Sequence, residues 1–102
     1  MAQLVVIYWR DIPAQVTAKA GRTASKRELS LRFTEAIDMA AMRSGAAATD
    51  DYLAEWRRGE PVPCGDDLEA EVAAAMAKIE AEYDKERLLA LVNNAGREPA
   101  AD

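Results

Sequence analysis

The chain opens on an apolar run. Residues 3–10, Gln3-Leu-Val-Val-Ile-Tyr-Trp-Arg10, are rich in β-branched and aromatic side chains, which predicts a strand. Leu4, Val6 and Tyr8 fall on one face and Val5, Ile7 and Trp9 on the other, so both faces need cover and the strand should be central or overlaid. Asp11-Ile12-Pro13-Ala14 reads as a turn, because proline presets one backbone angle. Residues 15–19 then alternate as a second strand, completing a β-hairpin. Two strands alone are marginal in water. A third is expected around Arg58–Cys64, limited to an edge by Pro61 and Pro63, or from a second copy of the chain.

Beyond a loop at Ala20–Thr23 the apolar period lengthens. Ser25 and Glu28 have capping-box spacing and predict a helix with the face Leu29, Phe33, Ala36, Ile37, Ala40 and Ala41, stopped at Gly45. Ala46-Ala47-Ala48 is a short low-complexity tract. Thr49 or Asp50 caps a short helix through Arg58 that would bury Leu53 and Trp56. Asp66 and Glu69 cap the last and longest helix, over about residues 67–94. Its stripe of Leu68, Val72, Ala75, Met76, Ile79 and Tyr83 slips to Leu88, Leu89, Leu91 and Val92, which predicts a bend or a second contact. The fold class is therefore α+β, a hairpin of two or three strands packed against three helices. Residues 1–95 form one domain, and 96–102 are expected to be a disordered tail.

Composition narrows the function. Half of the 102 residues are hydrophobic, much of that alanine, so core energy rests on few large side chains. Residues 1–49 hold seven Lys/Arg against four Asp/Glu, and residues 50–102 hold six against fourteen, giving the net −5. An acidic chain is not expected to bind nucleic acid, whereas a basic half beside an acidic half suits a homodimer or a charged protein partner. No histidine is present, which removes the commonest general base and metal ligand, so neither enzyme activity nor a metal or other cofactor is expected. One cysteine allows no internal disulfide. No stretch approaches the roughly 20 apolar residues of a membrane span, and Met1–Tyr8 lacks the basic flank and length of a signal peptide. The expected location is cytoplasmic.

Three places could carry chemistry. Tyr8, Trp9, Arg10, Asp11 and Pro13, with Gln15 beyond, set aromatics and an arginine at a turn, which suits a partner-binding hot spot. The alternative is that Trp9 covers the core and Arg10–Asp11 is a surface ion pair. Trp56 and Arg57 repeat the theme, as an extension of the patch or as an ordinary core position. The basic loop Gly21–Arg27, read as preceding a helix, could hold an anion through Arg22, Lys26 and Arg27, or be simply solvated. It is not a P-loop, since Ser25 stands where glycine must precede the lysine. Cys64, ahead of a helix start, is placed for a lowered thiol pKa, but with no histidine to activate it an inert thiol is the expectation. The acidic residues Glu69, Glu71, Glu80, Glu82, Asp84 and Glu86 read as a solvated helix face. The first choice is a non-enzymatic accessory protein binding a protein partner; the second is a binder of small anions or phosphometabolites through the Gly21–Arg27 loop.

Tyr8-Trp9-Arg10-Asp11-Ile12-Pro13-Ala14-Gln15-Val16 carries a resemblance, joined by Arg32-Phe33, Ala36-Ile37-Asp38, Ala40-Ala41-Met42-Arg43, Asp51-Tyr52-Leu53 and Glu55-Trp56-Arg57-Arg58. Over residues 3–60 the chain resembles the small bacterial, alphaproteobacterial-type virulence factor family and is similar to a module of conserved virulence factor C. That resemblance implies no catalytic residue. It implies an accessory subunit, with folate- or corrinoid-linked methyl-transfer enzymes as the partners it suggests.

Overall fold

A computed structural model describes residues 2–45 and 49–97. Among them five strands and four helices follow in the order β1 (Ala2–Trp9), β2 (Ile12–Ala20), β3 (Thr23–Glu28), α1 (Leu31–Arg43), α2 (Thr49–Ala54), β4 (Trp56–Arg58), β5 (Val62–Cys64), α3 (Leu68–Glu82) and α4 (Lys85–Asn93). The fold is α+β, as the sequence predicts. The strands form one antiparallel sheet in the order β3-β2-β1-β4, with β5 also pairing β1. β1 is thus central, bonded along one edge to β2 and along the other to β4 near Trp9 and β5 near Ala2. This position accounts for its two apolar faces.

The hairpin register slips once. Ile7 pairs with Gln15, but Tyr8 pairs with Pro13, leaving Ala14 as the extra residue of a bulge. The slip sets Ile12, rather than Pro13, opposite Trp9. Two buried clusters result. Ala2, Val16 and Ala18 lie under Leu68 and Val72 of α3. Trp9 and Ile12 gather Phe33 and Ile37 of α1 with Leu88, Leu91 and Val92 of α4. Met76 and Ile79 of α3 pack against both.

The predicted long helix is two helices. α3 ends at Tyr83, and the Asp84 side chain caps α4 by accepting a bond from the Arg87 N–H at 2.8 Å. The break turns Leu88, Leu91 and Val92 onto the α1 cluster, which is the second contact implied by the slipped stripe.

Three sequence expectations are corrected. Residues 23–28 form edge strand β3, not the start of a helix, so the capping box at Ser25 and Glu28 is not used. An edge strand bonded on one side through its backbone needs no apolar alternation, and exposed lysine and arginine are usual there. The helix starts at Leu31, and its N-terminus is held from outside. Ser30 donates its backbone N–H and its hydroxyl to the two Glu80 carboxylate oxygens, each at 2.8 Å, while Arg32 pairs with the same carboxylate at 2.9 Å. The short helix ends at Ala54, placing Trp56 in β4 and leaving Leu53 59% exposed. The Ala46–Ala48 tract and residues 98–102 of the expected tail lie outside the described residues.

Burial alone would raise the Glu80 pKa, but the Ser30 bonds and the Arg32 charge outweigh it and hold the carboxyl below its ordinary value. A depressed carboxylate stabilises the fold at neutral pH and loses that contribution as pH falls through its folded value. Glu80→Gln should therefore lower stability by about 1 kcal/mol at neutral pH. The gap to wild type should close below about pH 4. Thermal melts across pH would check both, and a gap independent of pH would contradict the assignment.

Candidate functional site

The Trp9-Arg10-Asp11 turn is where separate parts of the chain converge. Only Arg10 and Asp11 separate the paired residues Trp9 and Ile12, and Arg10 takes φ +54°. That backbone region normally falls to glycine in tight hairpin turns. Contacts from both sides hold the arginine there. Its backbone N–H donates to the Glu55 carbonyl at 3.1 Å, Nη1 donates to the Ala95 carbonyl at 2.7 Å, and the guanidinium lies 4.9 Å from the Trp9 ring centre. Nε sits 3.3 Å from Glu55 Oε2, an ion pair not aligned as a hydrogen bond. Arg97 reaches the same Glu55 oxygen at 3.5 Å.

Trp9 itself is 0% exposed. Its indole N–H donates to the Tyr52 carbonyl at 2.9 Å, and its ring stacks on Tyr52 with centres 5.8 Å apart. Asp11 donates its backbone N–H to the Gly96 carbonyl at 2.8 Å and accepts from Arg57 Nη2 at 3.2 Å. Arg57 Nε also donates to the Arg10 carbonyl at 2.8 Å, and its guanidinium covers Tyr8 at 4.5 Å. Pro13 is fully buried. The Arg10–Asp11 surface pair is thus replaced by two others, Arg10–Glu55 and Arg57–Asp11. Trp9 and Pro13 are buried, and the Arg10 side chain is 13% exposed, with its hydrogen bonds and ion pair made inside the fold.

The far end of the clamp falls at the start of the segment expected to be a tail. Gly96, at φ +83°, follows the C-terminus of α4, donates its N–H to the Leu91 carbonyl at 2.7 Å, and lies close against Trp9. A Cβ added there would stand 2.9 Å from Trp9 Cζ3. Glycine just past a helix end is a readable stop signal; nothing comparable marks Glu55 or Tyr52.

What stays accessible is a concavity of about 420 Å³ beside the turn, lined by Ile7, Gln15, Glu28, Thr34, Tyr52 and Trp56 among others. Trp56 stands edge-on to Tyr52 at 5.8 Å and faces Trp9 across β1–β4. Burial first, then the Asp38 charge, raises the Tyr52 phenol pKa, so it remains a neutral donor. The side chains of Gln15, Glu28 and Thr34 have no hydrogen-bond partner among the described residues, and Arg58, across from Ile7, has no ion pair among them. Gln15 and Trp56 are thus the predicted partner-binding residues that the fold brings together at an open surface.

The other candidates fare differently. Arg22 sits in the β2–β3 turn, and Lys26 and Arg27 are exposed on β3, so no helix N-terminus backs them. Cys64 belongs to β5, not to a loop. Burial, then Glu71 and Asp66, pushes its thiol up rather than down, which keeps it protonated at neutral pH. Among the described residues, no group of three or more His, Cys, Asp or Glu is placed to hold a metal, and no helix is long and apolar enough to cross a membrane.

A hairpin clamped at its turn from the middle and the far end of the chain, beside an aromatic concavity, defines a small antiparallel α+β domain built around one buried tryptophan. The chain belongs to the virulence factor family, whose profile matches residues 7–92. The match runs from within β1 into α4, so it extends the resemblance read over residues 3–60 through both C-terminal helices. No curated protein and no solved structure matches the chain.

Three substitutions at two positions test the clamp by chemical denaturation. Arg10→Ala should cost more stability than Arg10→Gly, by about 1 kcal/mol, because both lose the guanidinium bonds but only alanine keeps the positive-φ strain. Gly96→Ala should destabilise by about 1–3 kcal/mol through strain and the clash with Trp9. Equal losses for the two Arg10 variants would contradict a strained turn.

Proposed function

We propose that this chain is a non-enzymatic cytoplasmic interaction protein that seats an anchor side chain of a protein partner in the Trp56–Tyr52 concavity. The observation that carries it is convergence: two aromatics and Ile7 line a recess whose polar members, Gln15, Glu28 and Thr34, have no bonding partner within the described chain. Interface hot spots combine a desolvated aromatic recess with a few polar groups that fix orientation. Arg58 on the adjoining strand favours an aliphatic or aromatic anchor flanked by an acidic residue. Arg57 contributes indirectly, since its bonds to Arg10 and Asp11 hold β4 against the hairpin. The binding patch so defined lies beside Trp9 and Arg10 and includes Gln15 and Trp56. An accessory role beside a folate- or corrinoid-linked methyl-transfer enzyme, as the family resemblance implies, makes such enzymes the first partners to test. The small-anion alternative loses its support, since the loop it used leads into a strand.

The test compares wild type with Thr34→Arg, which fills the rim from an exposed position, and Trp56→Ala, which empties the recess. Proteins retained from cell extract would be identified, purified and titrated against each form by calorimetry. A partner bound by wild type and weakened roughly tenfold or more by both variants, with melting curves showing folded protein, is the expected result. A partner that binds Thr34→Arg as tightly as wild type would overturn the proposed surface.

A further inference from the structure

Only one face of the sheet is packed on α3. Ala2, Val16 and Ala18 lie on that face, so their neighbours in sequence point the other way, and cross-strand partners share a face. One row of the opposite face runs Arg58, Ile7, Gln15 and Glu28, and the next runs Val5, Thr17 and Lys26. Gln3 and Lys19 stand in the third. Neither buried cluster takes a member from these last two rows. Val5 is shielded at 7% exposure, while Gln3, Lys19, Lys26 and Arg58 are exposed. The three cations of this face, Arg58, Lys19 and Lys26, have no ion pair among the described residues. Its acid Glu28, and Glu60 in the β4–β5 loop at its margin, pair with none of them. Lysine on an outer strand guards against edge pairing, but β2 lies between β1 and β3, so that account does not reach Lys19.

We infer that this basic face guides an extended acidic segment of the partner, continuing from the anchor seated in the Trp56 recess; the inference rests on that reading of the recess. Ile7, Gln15 and Glu28 line the recess and also form the first row, so chain leaving the recess runs directly onto the face. Arg58 receives the carboxylate beside the anchor. From Arg58 to Lys26 is three strand spacings across the sheet and one two-residue step along it, about 16 Å between Cα positions. Extended chain spans that in about five residues. A second carboxylate at that distance reaches Lys26, and Lys19 stands one strand and one row further on. The charge of the face selects the occupant, since three unpaired cations against one acid complement an acidic segment. Two such faces set together would oppose like charges, which disfavours a second copy. Single-stranded nucleic acid needs rings on which bases stack, and the second and third rows carry none. Anionic membrane surfaces are held by larger clusters, of roughly four to eight basic residues.

Titration of the isotope-labelled whole protein with synthetic peptides, followed by amide NMR shifts and calorimetry, tests this. The probe carries a leucine, a glutamate next to it and a second glutamate about five residues on. It should shift the amides of Val5, Thr17 and Lys26, and glutamine in place of the second glutamate should weaken binding roughly tenfold. Lys19→Glu combined with Lys26→Glu should weaken the glutamate peptide to the same extent with an unchanged melting curve, and a peptide with lysine at the second position should regain the loss. Lys19→Gln with Lys26→Gln serves should the charge reversals unfold the chain. A glutamine peptide bound as tightly as the glutamate one overturns the inference, as does tighter binding of oligothymidylate or of phosphatidylserine vesicles. Indifference to the lysine variants does so as well; if Thr34→Arg still weakens the peptide in that case, the recess stands and only the basic face falls. Failure of wild type to bind the glutamate peptide at about 1 mM overturns it too, and leaves the recess to its own test.

Discussion

The bond from the indole of the fully buried Trp9 to the Tyr52 carbonyl is the constraint on which the rest of the structure hangs. A buried indole without an acceptor would cost roughly 1–3 kcal/mol, so the ring can enter the core only once residue 52 is in place. That fixes where α2 must lie, and with it Glu55 and the start of β4. The same ring leaves no room for a side chain at Gly96, so it also fixes where α4 must end. Arg10 then ties the segments around residues 55 and 95 to one two-residue turn, at the cost of a backbone conformation that arginine disfavours.

Arginine has a second task in this alanine-rich chain. Arg10 lies over Trp9, Arg32 over Phe33, Arg57 over Tyr8 and Arg87 over Tyr83, all within 5 Å of the ring centre. With few large apolar side chains available, the planar guanidinium groups and their stems extend cover over rings that alanine is too small to shield. Several of these arginines also reach backbone carbonyls, so that part of the basic charge is spent within the fold.

What the sequence made legible follows from local signals. β1 announced itself through an unbroken β-branched and aromatic run, and its two-sided burial anticipated a central strand. The slip from Tyr83 to Leu88 anticipated the α3–α4 break. β3 was illegible because its six residues pair through backbone alone, and nothing in Thr-Ala-Ser-Lys-Arg-Glu records that. The start of α1 is illegible for a related reason: the group that satisfies Ser30 is Glu80, fifty residues away. At the candidate site the motif was visible but its destination was not. Residues 8–13 read equally as a surface hot spot and as a core corner, and only the approach of residues 52–57 and 95–97 decides between them. Ile7 and Thr34 join Trp56 for the same reason, by long-range packing that no spacing encodes.

The clamp also sets an order of events during synthesis. β1 and β2 are the first strands to leave the ribosome, and their hairpin is local enough to form at once. Yet the groups that hold its turn stand at residues 55, 95 and 96, so the hairpin can be clamped only after the middle and the far part of the chain have been made. Closing the clamp is therefore a long-range event that local hairpin formation precedes.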